Sequence, residues 1–400
     1  MRSRLPLVSA IVTSLRRRLL RFTGTALMSV LPADETTVVY GYPEAEEQSL
    51  GTALLLAERS DARVVLIATD TDVAASALST ASTILGLPTR GISIVAKRSL
   101  RGYLAFIRAR HVFYTHGLWE SPTPRRGRRH VNLWHGVGPK RTFNGTRRDR
   151  IGAQVLCGQV PSWTRQAAAD LGMPPRTEIS SFSGRRPFVR GARPRAAVFA
   201  KLGLDPRLPL VLWVPTYRAS VKSTPAPASP SEGALLGDDF LAVLQASEIN
   251  FVVKPHPSDR AQFTTLNADV LTTGAIWAAG VSLYELIAHV DLMISDYSSI
   301  WVDYLWTRKS LAFHLPDESA YVGGRGLKSP DFRDCAPDLV LREVGALEEA
   351  LDAISSGGVW RESSLASLRT RLQVTDEGPD VATLMVTTRH GRRLRPRDAE

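Results

Sequence analysis

From residue 36 onward, short apolar and β-branched runs alternate with segments of helical composition. The first set of runs is Thr37–Tyr40, Arg63–Ala68, Ile92–Ala96, His111–Thr115, His130–Trp134 and Gln154–Cys157, with helical segments such as Gln48–Arg59 and Val73–Leu85 between some of them. Strands that alternate with helices predict parallel sheets joined by right-handed crossovers. A basic, turn-rich stretch from Ser183 to Arg195 breaks the pattern. It then restarts, with buried strands expected at Leu210–Val214, Asn250–Val253, Asp269–Thr272, Asp291–Ser295 and Ser310–His314. Between them, Ser223–Gly237 is dominated by Pro, Ser, Ala and Gly and reads as a surface loop. The expected fold class is therefore α/β, with two Rossmann-like domains, 34–190 and 191–385, facing a cleft. No internal repeat is detectable.

The first 33 residues follow another period. Leu5, Val8, Val12, Leu15, Leu19, Phe22 and Ala26 recur every three or four positions, the spacing of one helical face. Arg2, Arg4, Arg16, Arg17, Arg18 and Arg21 share this stretch, and residues 1–31 contain no acid. No apolar run reaches the ~18 residues that a bilayer span requires. A basic amphipathic helix lying on an anionic membrane surface fits the pattern. A helix docked on its own protein and a twin-arginine export signal over Ser14 to Leu31 are the alternatives.

Composition narrows the class. A chain of 400 residues suits two domains of about 150–200 residues. With 44% hydrophobic and 22% charged residues it is globular rather than disordered. A net charge of +11 favours anionic partners, with further arginine clusters at Arg125, Arg126, Arg128 and Arg129 and in the basic tail 386–400, from Arg389 to Arg397. The cluster at 125–129 lacks an aromatic platform, so nucleic acid is not an expected partner. Cys157 and Cys335 are isolated in sequence, which fits an intracellular protein without a disulfide framework and leaves a single bridge between them open.

Candidate chemistry sits where hydrophobic strands run into small, polar or charged residues, since ligands of open parallel sheets bind at the carboxyl ends of strands. Val131-Asn132-Leu133-Trp134-His135-Gly136 is followed by Lys140; Val211-Leu212-Trp213-Val214 runs into Pro215-Thr216-Tyr217-Arg218; Phe251-Val252-Val253 runs into Lys254-Pro255-His256-Pro257. The fourth string, Leu292-Met293-Ile294-Ser295-Asp296-Tyr297-Ser298-Ser299, continues to Asp303-Tyr304. His135, before a glycine, is a sterically open imidazole with a pKa suited to general-base work, or a structural histidine. His256 is aimed by two flanking prolines, or closes a rigid turn. Ser298 and Ser299 open a helix that can meet a phosphate, or simply cap it. Arg218 and Lys254 can neutralise a diphosphate, or stand in solvent.

Taken in order, these strings resemble the CDP-glycerol glycerophosphotransferase family of teichoic acid and capsule synthesis, across roughly residues 110–330. The family's Trp-His-Gly string with a nearby lysine, Pro-Thr-aromatic-Arg, Lys-x-His-Pro, and Asp-Tyr-Ser-Ser followed by Asp-Tyr all have counterparts here. The resemblance implies two domains of GT-B type, a CDP-alcohol donor held mainly by the second, and a lipid-linked acceptor at the cytoplasmic face of the membrane. It makes His135 the candidate base and His256 a second catalytic candidate. Thr216, Arg218, Lys254, Ser298, Ser299 and Arg325, the last in an Arg-Gly element, become donor-phosphate candidates, with Lys140, Asp296 and Asp303 as further site residues. No metal site is implied, although a divalent cation can accompany the donor diphosphate. Asp70-Thr71-Asp72 looks like the DxD string of a different glycosyltransferase fold and reads here as a polar strand end. Asn144-Gly145-Thr146 is a glycosylation acceptor only outside the cytoplasm. Ser183-Gly184-Arg185-Arg186-Pro187 departs from the family's Gly-x-Pro-Arg string. The length resembles that of short members that add one unit, and leaves primase and polymerase both open. The nearest alternative activity is a GT-B sugar transferase using a nucleotide sugar; a non-catalytic scaffold binding anionic polymer through the arginine clusters is the other.

Overall fold

The expected alternation takes the form of two separate parallel sheets. The structure, a computed structural model, describes residues 19, 21–59, 63–119, 122–125, 127–142, 152–216, 237–255, 263 and 268–386. The first sheet comprises β1 (Asp34–Tyr40), β2 (Val64–Ala68), β3 (Ile92–Ala96), β4 (Ala109–Tyr114), β5 (Arg129–Asn132), β6 (Val155–Cys157) and β7 (Glu178–Ser180), in the order β3-β2-β1-β4-β5-β6-β7. The second comprises β8 (Leu210–Val214), β9 (Asn250–Val253), β10 (Asp269–Val270), β11 (Leu292–Ser295) and β12 (Ser310–Phe313), in the order β10-β9-β8-β11-β12. All pairings are parallel. Every residue of β2, β8, β9, β11 and β12 is buried. Helices cover both faces, so these strands read as continuous rather than alternating apolar runs.

Each sheet has one point where strand order reverses: between β1 and β4 in the first, and between β8 and β11 in the second. Those switch points open a crevice at the strands' carboxyl ends, where ligands of such sheets bind. This is the two-domain α/β architecture expected from the pattern.

Some details differ. β7 was not expected, because three residues with one apolar side chain, Glu178-Ile179-Ser180, carry too little periodicity. The expected buried strand Asp269–Thr272 is a two-residue, partly exposed edge strand; Thr272 instead caps the helix Thr273–Ala278, its Oγ1 accepting the Ala275 N–H at 3.1 Å. The helix Val381–Met385 crosses back onto the helix Glu47–Arg59 of the first domain, where His111 Nε2 lies 3.1 Å from the Met385 carbonyl oxygen.

Residues 21–30 are helical, while residues 1–18 and the tail 387–400 lie outside the described residues. Met28 is buried and Gly24 packs against Pro122. Leu19, Phe22, Ala26 and Val30 face outward, with Phe22 73% exposed. The described part of the expected apolar stripe is therefore not the face that docks. No described helix is long and apolar enough to cross a membrane. Of the arginines near 125–129, Arg128 and Arg129 are buried, which corrects their reading as ligand groups. Arg128 Nη2 donates to the carbonyls of Leu31 and Ile107 at 2.7 and 3.0 Å, and Arg129 pairs with Glu178 at 2.6 Å. Cys157 and Cys335 are buried free thiols, not a bridge.

Candidate active site

The first wall of the crevice forms at the ends of β4 and β5. Asn132, the last residue of β5, accepts the Trp134 N–H at 2.8 Å on Oδ1, and Trp134 takes a left-handed backbone, φ 53°. This turn lifts His135 off the sheet. Its ring stacks on His116, the second residue after β4, with centroids 4.4 Å apart and planes 10° apart. Trp134 lies against it at 4.4 Å and 33°. His135 keeps solvent access, yet protein encloses it closely enough that desolvation is the main cause lowering its pKa to about 3. His116, Arg185 and Lys140 push in the same direction. The ring is an uncharged imidazole at neutral pH, as a general base must be.

The second wall forms at the ends of β8 and β11. Buried Asp296 accepts the Thr216 N–H at 2.9 Å, the Thr216 hydroxyl at 2.5 Å and the Ser298 N–H at 3.1 Å. The carboxylate thus ties the two strand ends at the switch point together, which makes Asp296 a scaffold for Thr216 and Ser298. Ser299 stands at the N-cap of the helix Ile300–Tyr304, but its hydroxyl makes no capping bond. Tyr297 points into the core and stacks on Tyr321 at 3.8 Å.

The walls meet at two glycines. A Cβ on Gly136 would stand 2.5 Å from Ser299 Oγ, and one on Gly138 would stand 2.8 Å from Ser299 Cα. Gly136 also has φ 124°, a conformation that side chains disfavour. Beyond them the loop pairs with the second domain in antiparallel fashion. Lys140 bridges Leu327, the Arg141 N–H donates to the Gly326 carbonyl at 3.0 Å, and the Lys328 N–H donates to that of Pro139 at 2.7 Å. Buried Lys328 donates its ammonium to the carbonyls of Gly138 and Lys140; burial lowers its pKa to about 7. Arg325 Nη2 donates to the Thr142 carbonyl at 3.3 Å, while its buried Nε has no partner among the described residues.

Beneath the glycines lies Arg185, the residue that reading the strings missed. It is 7% exposed, pairs with Glu46 at 2.6 Å and Asp303 at 3.2 Å, and donates to the His135 carbonyl at 3.1 Å. The Tyr284 hydroxyl donates to Asp303 at 2.8 Å. Asp303 therefore belongs to a buried ion cluster that joins the two walls, and it lines one cavity with Gly136, Arg185 and Ser299. Next to this cluster, Glu47 accepts the Leu283 N–H at 3.0 Å, and burial raises its pKa to about 7. Half-buried Lys254, just after β9, is lowered by desolvation, with the Glu47 charge acting the other way.

The crevice thus unites the His135 loop, Thr216, Ser298 and Ser299 and rests on Asp296, with Lys140 and Arg325 on the adjoining strand-like seam. Arg218 and His256 lie outside the described residues. Asp70 is a helix cap, its Oδ1 accepting the N–H groups of Asp72 and Val73 at 3.0 and 3.1 Å. Among the described residues no three His, Cys, Asp or Glu side chains are grouped to hold a metal.

Comparison with known proteins bears on the same residues. The teichoic acid poly(glycerol phosphate) polymerase of Bacillus spizizenii is 22% identical over 255 residues, covering 58% of this chain and 63% of that protein. The teichoic acid ribitol-phosphate polymerase TarL of Staphylococcus aureus is 23% identical over 251 residues, covering 57% and 42%. The chain thus spans less than two thirds of the length of these curated relatives. Among solved structures, the wall teichoic acid polymerase TagF superposes with a TM-score of 0.66 at 15% identity, over 94% of this chain and 96% of that one, which establishes a shared fold. Residues 190–379, which hold Thr216, Lys254, Ser298, Ser299 and Arg325, match the model described as CDP-Glycerol:Poly(glycerophosphate) glycerophosphotransferase.

Proposed function

We propose that the chain transfers glycerol-phosphate, or a related polyol-phosphate, from a CDP-alcohol to a lipid-linked acceptor in the synthesis of a teichoic acid or similar cell-envelope polymer. The observation that carries the reading is the meeting of an uncharged strand-end imidazole, His135, with the Ser298–Ser299 helix start across Gly136 and Gly138. In the reaction, His135 takes the proton of an acceptor hydroxyl as its oxygen attacks the β-phosphorus. The bond from that phosphorus to the bridging oxygen breaks, and CMP leaves with the electron pair. Ser298, Ser299, Lys254 and Arg325 supply donors and positive charge to the phosphates beside Thr216, which Asp296 holds in place, joined by Arg218 and His256. Phosphoryl transfer depends mainly on positioning and electrostatic stabilisation, so each such donor contributes a few kcal/mol of barrier lowering. A divalent cation travelling with the donor diphosphate is compatible with this scheme.

The acceptor side of the proposal places the protein peripherally on an anionic membrane surface at the cytoplasmic face. Leu19, Phe22, Leu27 and Val30 on the first helix, and Leu100 and Leu104 on the helix Leu100–Arg108, are exposed apolar side chains. The two helices adjoin, since Tyr103 Oη lies 3.7 Å from a Cβ built on Gly24. Arg21, Arg98 and Arg101 add positive charge along these segments. An apolar surface with basic neighbours suits the headgroup boundary of acidic lipid.

The test is a donor screen. CDP-glycerol, CDP-ribitol and nucleotide sugars are offered with short lipid-linked acceptors, and the released nucleotide and product mass are measured. CMP release with a polyol-phosphate increment is the expected result. UDP or GDP release with a hexose increment would replace this reading by the GT-B sugar transferase.

A further inference from the structure

His116 has no place in the motif strings, yet it occupies the switch point of the first sheet. It is the second residue after β4, beside the reversal of strand order between β1 and β4. Its ring lies parallel to His135 at 4.4 Å, and the Tyr42 ring meets it edge-on at 5.9 Å. The orientation is fixed from behind. Thr115 Oγ1 accepts the Tyr42 N–H at 3.3 Å and lies 3.1 Å from His116 Nδ1.

Resting on the reading of His135 as the base, we propose that His116 is a positioning residue. Stacked on His135, it covers one face of that imidazole, fixes its plane at the crevice and keeps it uncharged and able to accept a proton. Two stacked imidazoles cannot both carry charge without strong repulsion. The other groups facing the pair favour the neutral form as well. Arg185 and Lys140 act on His135, and Arg185 and Lys97 act on His116. Glu46 is taken up by Arg185 at 2.6 Å, and Lys97 is turned toward the Tyr40 hydroxyl at 2.7 Å. Only the Thr115 backbone pulls His135 toward protonation. Desolvation is the largest cause lowering both histidines, although the His135 side chain is exposed, and each ring covers one face of the other.

A base whose folded pKa is depressed is fully competent at and below neutral pH, and fails only once pH drops through that lowered value. Removing the stack re-hydrates His135 and moves its titration up toward the ordinary 6.5.

The experiment uses the full chain with ring-labelled histidine. The His135 signal, assigned through His135→Gln, is followed by NMR from pH 5 to 8 in wild type, His116→Phe and His116→Ala. Wild type and His116→Phe, which retains a stacked ring, are expected to show no His135 titration in that range. His116→Ala is expected to show one, raised by a unit or more. In parallel, CMP release from CDP-glycerol with a short lipid-linked acceptor is measured against pH. His116→Ala should lose about tenfold in kcat/KM between pH 8 and pH 5.5 relative to wild type, and His116→Phe should not. An unchanged His135 titration in His116→Ala overturns the proposal, as does His116→Phe behaving like His116→Ala. Because the NMR arm needs no turnover, a wild-type chain that releases no CMP would refute the transferase reading while the His116 result still stands or falls separately.

Discussion

Replacing Arg185 by Met removes the cation that bonds both carboxylates of the buried cluster joining the two walls of the crevice. Arg185, Glu46 and Asp303 are 7%, 8% and 5% exposed. The guanidinium makes two bonds to Glu46, at 2.6 and 3.2 Å, and one each to Asp303 and the His135 carbonyl, at 3.2 and 3.1 Å. Methionine fills similar space but leaves two carboxylates in the interior without their cation. Breaking a buried pair in this way costs about 3–5 kcal/mol, an apparent melting decrease of roughly 6–20 °C for domains of this size. The loss depends on pH. Burial already raises the Asp303 carboxyl, and Arg185 is the leading influence drawing it back; without Arg185 it rises further. A carboxyl raised above its unfolded pKa binds protons in the folded state that the unfolded state lacks, so stability falls as pH rises. Thermal unfolding followed by circular dichroism should therefore show a larger deficit at pH 8 than at pH 5.5, and adding Asp303→Asn should restore part of it at pH 8. Wild-type melting at pH 8, or an equal deficit at both pH values, would refute the account of Arg185 as the cation holding this interface.

His135→Ala should lower CMP release by about 10²–10⁴-fold while leaving the melting temperature within a degree or two of wild type; near-normal turnover would remove His135 from the mechanism. Gly138→Ala should lower stability and turnover together, because its Cβ would meet backbone at 2.8 Å; an unaffected variant would mean that the domains do not touch there. In the membrane proposal, Phe22→Asp should weaken flotation with anionic vesicles at least about tenfold without changing the melting temperature. Equal flotation would rule out the exposed stripe as the anchor.

Most of the architecture was legible because buried parallel strands are the strongest local signal in such a chain. Val64–Ala68, Ile92–Ala96 and Leu210–Val214 are fully or largely apolar, and turn residues bound them. The misses are elements whose stability is not local. β7 has three residues and owes its place to pairing with β6, so nothing in Glu178-Ile179-Ser180 marks it in isolation. The helix Val381–Met385 reads like the end of the second domain and packs on the first, because chain order carries no information about a crossing made through tertiary contacts. The surroundings of residues 21–30 stayed open for a related reason. Periodicity identifies an apolar stripe but not what it meets, and here the small residue Gly24, with Met28, provides the docking side.

The site was legible where it is made of strings and illegible where it is made of pairs. His135, Thr216, Ser298 and Ser299 follow strands and are read from their own neighbours. Arg185 lies in a stretch that looks like a solvated basic linker, and its partners Glu46 and Asp303 stand 139 and 118 positions away. The available clue was negative: Ser183-Gly184-Arg185-Arg186-Pro187 departs from the family string, and two arginines side by side drew attention to charge rather than to burial. His116 carried a usable signal, being a histidine just past the strand run His111–Thr115, as His135 follows β5. Strand-end histidines on two neighbouring strands of a parallel sheet lie about 5 Å apart sideways, so the stacking of His116 on His135 follows from β4 lying beside β5. The strings name the strand ends, but only the strand order decides which of them face one another. For that reason the residues that tune the base had to come from the topology.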